Sequence, residues 1–219
     1  MTARVVVDLL RPTLRAMSWG PPLTAVAVGL GIVAVPMLLE ARLDAANLTT
    51  LLRLTAVCAA LGGAFLLDDP AARMIAATPT PRLVRQALRV GAILPLFAAA
   101  WWTATAMAGT LGGRADLLIG GLTVEAAALL AAALSVAAVW GRHDRNGAAG
   151  PAAATGTLVA AALGAVVTSP VAVFPSPDDP NWNRIHLGWA AALVIAVGVV
   201  VWAASGRRRP WSTGGRRRV

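Results

Sequence analysis

The chain has 219 residues, of which 58% are apolar and 13% are charged, and its formal net charge is +9. A soluble globular domain carries about 25% charged residues, so this composition indicates a membrane protein. All 19 basic residues are arginine, which excludes a Walker A nucleotide site and a Schiff-base enzyme, because both need a lysine. One cysteine and two histidines exclude a disulfide and a zinc cluster of the usual spacing.

The N-terminal segment, residues 1–20, is too short and too polar to span a membrane, but its pattern is that of an amphipathic helix. On such a helix the apolar stripe is Val6, Leu9, Leu10, Thr13, Leu14 and Met17, and the polar stripe is Asp8, Arg11 and Arg15. This pattern predicts an interfacial "elbow" helix whose arginines face anionic lipid. The alternative is a basic leader that only sets the orientation of the chain.

Six apolar stretches follow, each long enough to cross a hydrocarbon core of about 30 Å. They lie near residues 22–39, 49–67, 91–109, 117–139, 152–174 and 187–204. The connections are too short for a soluble domain, so we expect one all-α, polytopic transmembrane domain over residues 21–205. A basic tail, residues 206–219, is expected to bind anionic lipid.

The distribution of arginine predicts the orientation of these spans. With the N-terminus inside, fifteen of the 19 arginines lie on the cytoplasmic side and three lie outside, so the positive-inside rule makes both termini cytoplasmic. Because the charges lie between spans and at the termini, they do not indicate a nucleic-acid partner. The lysine-free usage, rich in Ala, Arg and Gly, is typical of a high-GC bacterium, and we expect the chain in the bacterial cytoplasmic (cell) membrane.

The connection 68–90 between the second and third spans contains more than a hairpin needs. Asp69 followed by Pro70 is a helix start, with a carboxylate N-cap and a proline at the first helical position. The Thr-Pro-Thr-Pro run at 78–81 ends that helix, and a second is expected to start near Pro81. On the second helix Arg82, Arg85 and Arg89 share one face, and Leu83, Ala87 and Val90 share another. The alternative is that the acids only cap and the arginines only obey the positive-inside rule.

This order of parts resembles the integral membrane subunit of an ABC-2-type exporter: an elbow helix, six spans, and a helix-bearing cytoplasmic loop after the second span. The stretch "LDDPAARMIAATPTPRLVRQALR" is similar to a loop of small actinobacterial ABC transporter membrane proteins. The resemblance implies an ATPase partner that carries ATP and Mg²⁺, and a second membrane subunit, identical or homologous. It also implies a region that faces the ATPase: Asp68, Asp69, Pro70, Arg73, Arg82 and Arg85. The loop 175–186 departs from larger members of the family, because it is too short for their re-entrant helix pair.

Glu125 is the clearest polar residue inside a span, about 13 Å below Asp116 at 1.5 Å per residue. A charge at this depth costs at least ~2.5–3.5 kcal/mol, so it normally faces protein or water. Two interpretations stay open: a proton- or cation-sensitive residue lining a cavity, or a hydrogen-bonded carboxyl packed against a neighbour. Arg53 either snorkels to the outer headgroups or pairs with Glu125. Trp101 and Trp102 either line a substrate path, as Glu125 then also does, or only pack.

Three functions are compatible with these features. The first is a permease subunit that moves a substrate by alternating access, driven by a separate ATPase through the connection 68–90. The second is a non-transporting scaffold or regulatory subunit of a membrane complex. The third is a small secondary transporter that uses Glu125. In none of them do we expect a catalytic residue, a metal site or a cofactor in this chain, and we expect Asp178 and Asp179 to serve turns rather than to bind calcium.

Overall fold

The computed structural model describes Arg15 and residues 17–67, 82–112, 118–143, 149–166 and 173–205. These residues form six α-helices and a short 3-10 turn, Phe65–Leu67. The helices are α1 (Gly20–Leu38), α2 (Ala45–Ala64), α3 (Arg82–Gly112), α4 (Ile119–His143), α5 (Ala149–Val166) and α6 (Trp182–Ala204). Each contributes a segment that is long and apolar enough to cross a membrane. The predicted all-α class with six candidate spans is therefore confirmed.

The cytoplasmic placement of both termini stays a prediction. The elbow helix and the basic tail lie outside the described residues, apart from the last part of the N-terminal segment. There Arg15 is exposed, and Met17 is buried in an apolar cluster with Leu66 and Ile93.

Local sequence explains where α1 begins and ends. Pro21 and Pro22 lie in the first turn of α1, where backbone N–H groups have no helical partner. Its last turn closes with Glu40 in the left-handed region, φ 51°, and with a hydrogen bond from the Ala41 N–H to the Pro36 carbonyl at 3.0 Å. This is a Schellman motif, in which glycine is the usual residue at the position of Glu40.

α2 and α4 form the centre of the bundle. About half of the apolar window is buried in these two helices, 44% and 50%, against 17–22% in α1, α3, α5 and α6. Small side chains line the contact of α2 with α4 and α5, and the buried ones are Ala56, Ala60, Ala64, Ala133, Ala137 and Ala153. Since lipid is as apolar as the helix surface, van der Waals contact between closely spaced backbones holds such an interface together.

Two adjacent glycines of α2 permit this close packing on opposite sides. A Cβ on Gly62 would collide with the Cβ of Ala25 in α1, and a Cβ on Gly63 would collide with the side chain of Leu130 in α4. Gly31 and Gly109 show no atom within 4 Å of an added Cβ. At these two positions an added methyl group would therefore meet open space among the described residues.

α3 is longer than a membrane requires. Its 31 residues span about 46 Å at 1.5 Å per residue, whereas the hydrocarbon core is about 30 Å thick. The sequence predicts a helix that starts near Pro81 and a third span that starts near residue 91. In the structure the two are one continuous helix, Arg82–Gly112, with no break between them.

The first turns of α3 also have their polar side toward the protein. Gln86 and Arg89 are buried, and so are Ile93 and Phe97, which follow on the same side at helical spacing. Leu83, one turn before Gln86, is 38% exposed. One side of α3 is therefore buried from its first turns onward, with polar residues (Gln86 and Arg89) first and apolar residues (Ile93 and Phe97) after them.

Candidate functional site

Three ionisable side chains from three helices meet near one end of the bundle. Arg53 lies eight residues after the start of α2, Glu125 six after the start of α4, and His186 four after the start of α6. At 1.5 Å per residue these depths are about 12, 9 and 6 Å. Alternate helices run in the same direction, so all three begin at the same face of the bundle. In the predicted orientation that face is the external one.

Arg53 and Glu125 form a two-point ion pair. Arg53 Nε donates to Glu125 Oε2 at 2.8 Å, and Arg53 Nη2 donates to Glu125 Oε1 at 2.9 Å. The Glu125 side chain is 1% exposed and that of Arg53 is 15% exposed. Of the two interpretations of Arg53, the structure shows pairing with Glu125 rather than snorkelling. Charge-assisted bonds of this fork geometry are among the strongest that side chains make.

Arg53 also contacts the connection that precedes α6, residues 173–181. Its Nη2 donates a second hydrogen bond, to the carbonyl oxygen of Pro175, at 2.8 Å. The guanidinium carbon lies 5.3 Å from the ring centre of Phe174 and 5.9 Å from that of Trp182, both within the range of a cation–π attraction. Arg53 thus joins α2 and α4 to the connection 173–181.

His186 completes the cluster. Its Nδ1 lies 2.7 Å from the carbonyl oxygen of Trp182, and its Nε2 lies 3.0 Å from Oε1 of Glu125. The Nε2 atom is buried and makes no aligned hydrogen bond with the described residues, so it lies beside the Glu125 carboxyl without being hydrogen-bonded to it. The Trp182 ring stacks on the imidazole with the ring centres 4.1 Å apart.

Sequence reasoning missed His186 because it has no acidic residue at helical spacing on its own helix. Its partner lies on α4, and only the packing of α4 against α6 brings the two together. A weak signal exists in the sequence: His186 is a polar residue directly before the sixth apolar stretch, 187–204.

Gly121 makes room for these rings. It lies one turn before Glu125 on α4, and an added Cβ would be 2.8 Å from two atoms of the His186 ring and 2.9 Å from Nε1 of Trp182. Real Cβ contacts are essentially never that short. Gly120, its neighbour, has no atom within 4 Å of an added Cβ. The absence of a side chain at position 121 therefore leaves room for the two rings against α4.

The cluster holds an ion pair in largely buried surroundings. Trp182 and Leu122 belong to the apolar cluster beside it, which shields it from solvent and strengthens its electrostatic interactions. Among the described residues no group of three or more His, Cys, Asp or Glu side chains is placed to hold a metal ion.

Trp101 and Trp102 have different surroundings. Trp101 is partly buried, and its indole N–H donates to Oγ1 of Thr123 at 3.0 Å, whereas Trp102 is 59% exposed. The two adjacent indoles do not line one site together. Trp101 helps to join α3 to α4, and Trp102 lies on the surface of the bundle.

Most of the ATPase-facing residues implied by the resemblance lie outside the described residues, namely Asp68, Asp69, Pro70 and Arg73. Arg82 and Arg85 lie in the first turn of α3, and their side chains are likewise outside the description. The role of this region stays a prediction.

At the opposite end of the bundle, Asp179 has a turn role, since its Oδ1 accepts the Asn181 N–H at 2.7 Å.

Comparison of the chain with protein-family models, with curated proteins and with solved structures finds no match.

Proposed function

We propose that this chain is a permease subunit of an ABC-type exporter in the bacterial cytoplasmic membrane. A separate ATPase would bind at the connection 68–90, and ATP with Mg²⁺ would be held by that partner. The observation that carries the proposal is the continuity of α3. One helix begins within the segment that resembles an ATPase-binding loop and continues through the membrane span.

A continuous helix transmits a push along its axis. The first nine residues of α3, 82–90, extend about 14 Å at 1.5 Å per residue, and Gln86 and Arg89 fix this part against the bundle. Pro95 lies inside the same helix, and a proline removes one backbone hydrogen bond and bends a helix at that point. A displacement of residues 82–90 would therefore move the third span relative to α1 and α2.

The centre of the bundle supports a second membrane subunit as a partner. α2 and α4 meet through small, fully buried side chains such as Ala60 and Ala133, each 0% exposed. Helices that meet through fully buried alanines leave no space between them, so a substrate could pass there only if α2 and α4 separated. We therefore place the substrate path between this chain and a second subunit, identical or homologous, rather than along the contact of α2 with α4.

Copurification in mild detergent tests the proposal. The full chain should bring an ATPase with it, and Asp69→Ala, Pro70→Ala and Arg73→Ala, singly and combined, should weaken that association. Asp178→Ala and Arg184→Ala are the matched controls, because both residues are exposed near the opposite end. A triple variant that retains the ATPase and its substrate-stimulated hydrolysis would contradict a coupling role for this region.

Gly91 allows transmission to be separated from binding. Gly91→Pro should interrupt α3 between residues 82–90 and the span, at a cost of about 3 kcal/mol. Gly91→Ala should have little effect, since no atom lies within 4 Å of an added Cβ. The proline variant is expected to keep the ATPase bound but to lose substrate-stimulated hydrolysis.

A secondary transporter that uses Glu125 is the second candidate, and the buried cluster of Arg53, Glu125 and His186 favours it. It would transport without an ATPase, and Glu125→Gln would change the dependence of transport on pH between about 5 and 8. A scaffold subunit, in turn, would bring an ATPase with it but show no substrate-stimulated hydrolysis. The same purified complex therefore discriminates among the three functions.

A further inference from the structure

We propose that Arg142 and Trp202 form a binding site for the phosphate headgroup of an anionic phospholipid, with an acyl chain of that lipid along the outer side of α6. The two residues lie in the last turns of α4 and α6, at the end of the bundle opposite to the cluster of Arg53, Glu125 and His186. The proposal goes beyond the exporter function and does not depend on it, because it concerns only contacts of this chain with lipid.

The ends of α4 and α6 lie near the level of the lipid headgroups. The two helices have 25 and 23 residues, which corresponds to about 37 and 34 Å at 1.5 Å per residue. The hydrocarbon core is about 30 Å thick, so both helices extend slightly beyond it. Tryptophan and arginine suit this level, because each combines an apolar body with a polar group.

Arg142 is held in place by Trp202. Its Nη1 donates to the Trp202 carbonyl oxygen at 3.2 Å, and its guanidinium carbon lies over the Trp202 ring, 4.5 Å from the ring centre. The same carbonyl accepts the Ser205 hydroxyl at 3.0 Å. Within the part of the chain that the structure describes, no carboxylate forms an ion pair with Arg142. Its positive charge is therefore fixed in position but not neutralised there.

One edge of the Arg142 guanidinium is available to a ligand. Contact with a ring uses the flat face of the group, whereas its five N–H bonds lie in the plane and point outward. Nη1 is bonded to Trp202, but Nε and Nη2 make no hydrogen bond among the described residues, and Arg142 is exposed. Nε and Nη2 are the two atoms with which Arg53 grips the carboxylate of Glu125. The same edge can donate in parallel to two oxygens of a phosphate.

The sequence around the site is basic as well. Five arginines and one aspartate lie within seven residues of Arg142 or Trp202 along the chain, namely Arg142, Arg145, Arg207, Arg208, Arg209 and Asp144. All of these except Arg142 lie outside the described residues. An excess of positive charge beside the headgroups attracts anionic lipid, so charge complementarity favours an anionic headgroup over a zwitterionic one.

The outer side of α6 next to the ring suits an acyl chain. Trp202 is 60% exposed and Ile195 is 66% exposed, and Gly198 between them has no atom within 4 Å of an added Cβ. The spacing of four and three residues puts all three on one side of the helix. Gly198 therefore leaves a step beneath the indole ring that continues from the headgroup position toward the middle of the membrane. This continuity is the reason for inferring a lipid rather than a free phosphate ion.

Quenching of tryptophan fluorescence by brominated lipid reads this site locally. The chain has eight tryptophans, so each variant is paired with its own Trp202→Phe partner, and the difference between the two spectra reports Trp202 alone. The full chain is placed in vesicles of equal parts phosphatidylglycerol and phosphatidylcholine, with bromine on the acyl chains of one lipid at a time. In the wild type, brominated phosphatidylglycerol should quench Trp202 more strongly than brominated phosphatidylcholine does. Equal quenching by the two lipids would overturn the proposal, and that comparison needs no change at Arg142.

Variants of Arg142 separate the built site from charge alone. Arg142→Gln should reduce the preference for phosphatidylglycerol about fivefold, as expected for loss of one arginine that faces lipid. Arg142→Lys keeps the charge but lacks the planar fork, and it should also lose most of the preference. Arg42→Gln is the matched control, since it removes an exposed arginine near the opposite end and should leave the preference unchanged. An unchanged preference in Arg142→Gln or in Arg142→Lys would assign the attraction to the surrounding basic residues and overturn the site.

Two other occupants of this face give different results. Inorganic phosphate at millimolar concentration should leave the preference for phosphatidylglycerol in place. If it abolishes that preference, the site takes a free phosphate ion and the lipid assignment is overturned. A second copy of this chain on the same face would shield Trp202 from both brominated lipids, and the absence of quenching by either would likewise overturn the proposal.

Discussion

Arg53 and Glu125 are 72 residues apart in the chain and meet through two hydrogen bonds of 2.8 and 2.9 Å. One additional bond from Arg53 Nη2 to the Pro175 carbonyl spans 122 residues. The pair therefore joins three distant parts of the sequence at one point. Because Glu125 is 1% exposed, removal of either partner leaves the other as an unpaired charge in a medium that solvates it poorly.

The effects of mutating Arg53 and Glu125 on stability should not be additive. Arg53→Met and Glu125→Leu, taken singly, should each cost about 3–5 kcal/mol, whereas the double variant should be much closer to the wild type, because it leaves no buried charge unpaired. Thermal unfolding of the detergent-solubilised chain measures all three. Arg42→Met is the control, since Arg42 is exposed and its loss should have little effect. Additive losses in the double variant would contradict this account.

Gly121 should tolerate no side chain. Gly121→Ala should displace the His186 and Trp182 rings at a cost of about 1–3 kcal/mol, typical of overpacking, and should change the His186 ring signals in NMR spectra. Gly120→Ala is the adjacent control, with open space around its Cβ. Equal melting temperatures for the two variants would show that the rings yield without cost.

Gly62 should be equally restrictive at the contact of α2 with α1. Gly62→Ala places a methyl group against Ala25 and within 3.2 Å of the Pro22 backbone, and backbone cannot move aside as a flexible side chain can. We expect a loss of about 1–3 kcal/mol, measured by thermal unfolding. Gly31→Ala, on α1, meets no atom within 4 Å and should be neutral or slightly stabilising, since alanine favours helix.

Glu40 offers a stabilising substitution. It adopts φ 51° at the end of α1, a conformation that costs a non-glycine residue about 1–2 kcal/mol. Glu40→Gly should recover up to about 1 kcal/mol, since glycine also gains entropy when unfolded. Glu40→Ala removes the charge but keeps the strain, so it should not raise the melting temperature. A gain of equal size in both variants would indicate that charge, rather than backbone geometry, is responsible.

The predicted orientation can be tested with single cysteines. In a Cys58→Ser background, Ser176→Cys should react with an impermeant maleimide added outside intact cells, and Ser205→Cys should react only after lysis. Both serines are exposed. Labelling in the reverse order would place both termini outside, against the positive-inside distribution of arginine.

The sequence predicts the fold well because length and hydropathy decide it. Six apolar stretches appear as six helices, and Thr hydroxyls within them bond their own helix backbone, as Thr103 does with Ala99 and Thr157 with Ala153. The predicted third span begins near residue 91, whereas α3 begins at Arg82, because hydropathy detects where a span becomes apolar and not where a helix starts. Arg82 to Val90 is helical but too polar to be counted as part of the span.

The site is only half predictable, for a different reason. Glu125 stands out because a charge in a span is rare, and its pairing with Arg53 is one of two interpretations open from the sequence. His186 and Gly121 do not stand out, because their roles depend on which helices are neighbours. That information lies in the packing of α4 against α6 and has no counterpart in local composition.

The distance of 72 residues between Arg53 and Glu125 has a consequence for biosynthesis. At about 5–20 residues per second, the second span is made roughly 4 to 14 s before its counter-ion. During that interval Arg53 adds about 2.5–3.5 kcal/mol to the cost of inserting α2, and no acidic residue of the fourth span has yet left the ribosome. Until the fourth span is made, the second span therefore carries an arginine without its counter-ion, and the ion pair that joins α2 to α4 forms late in synthesis.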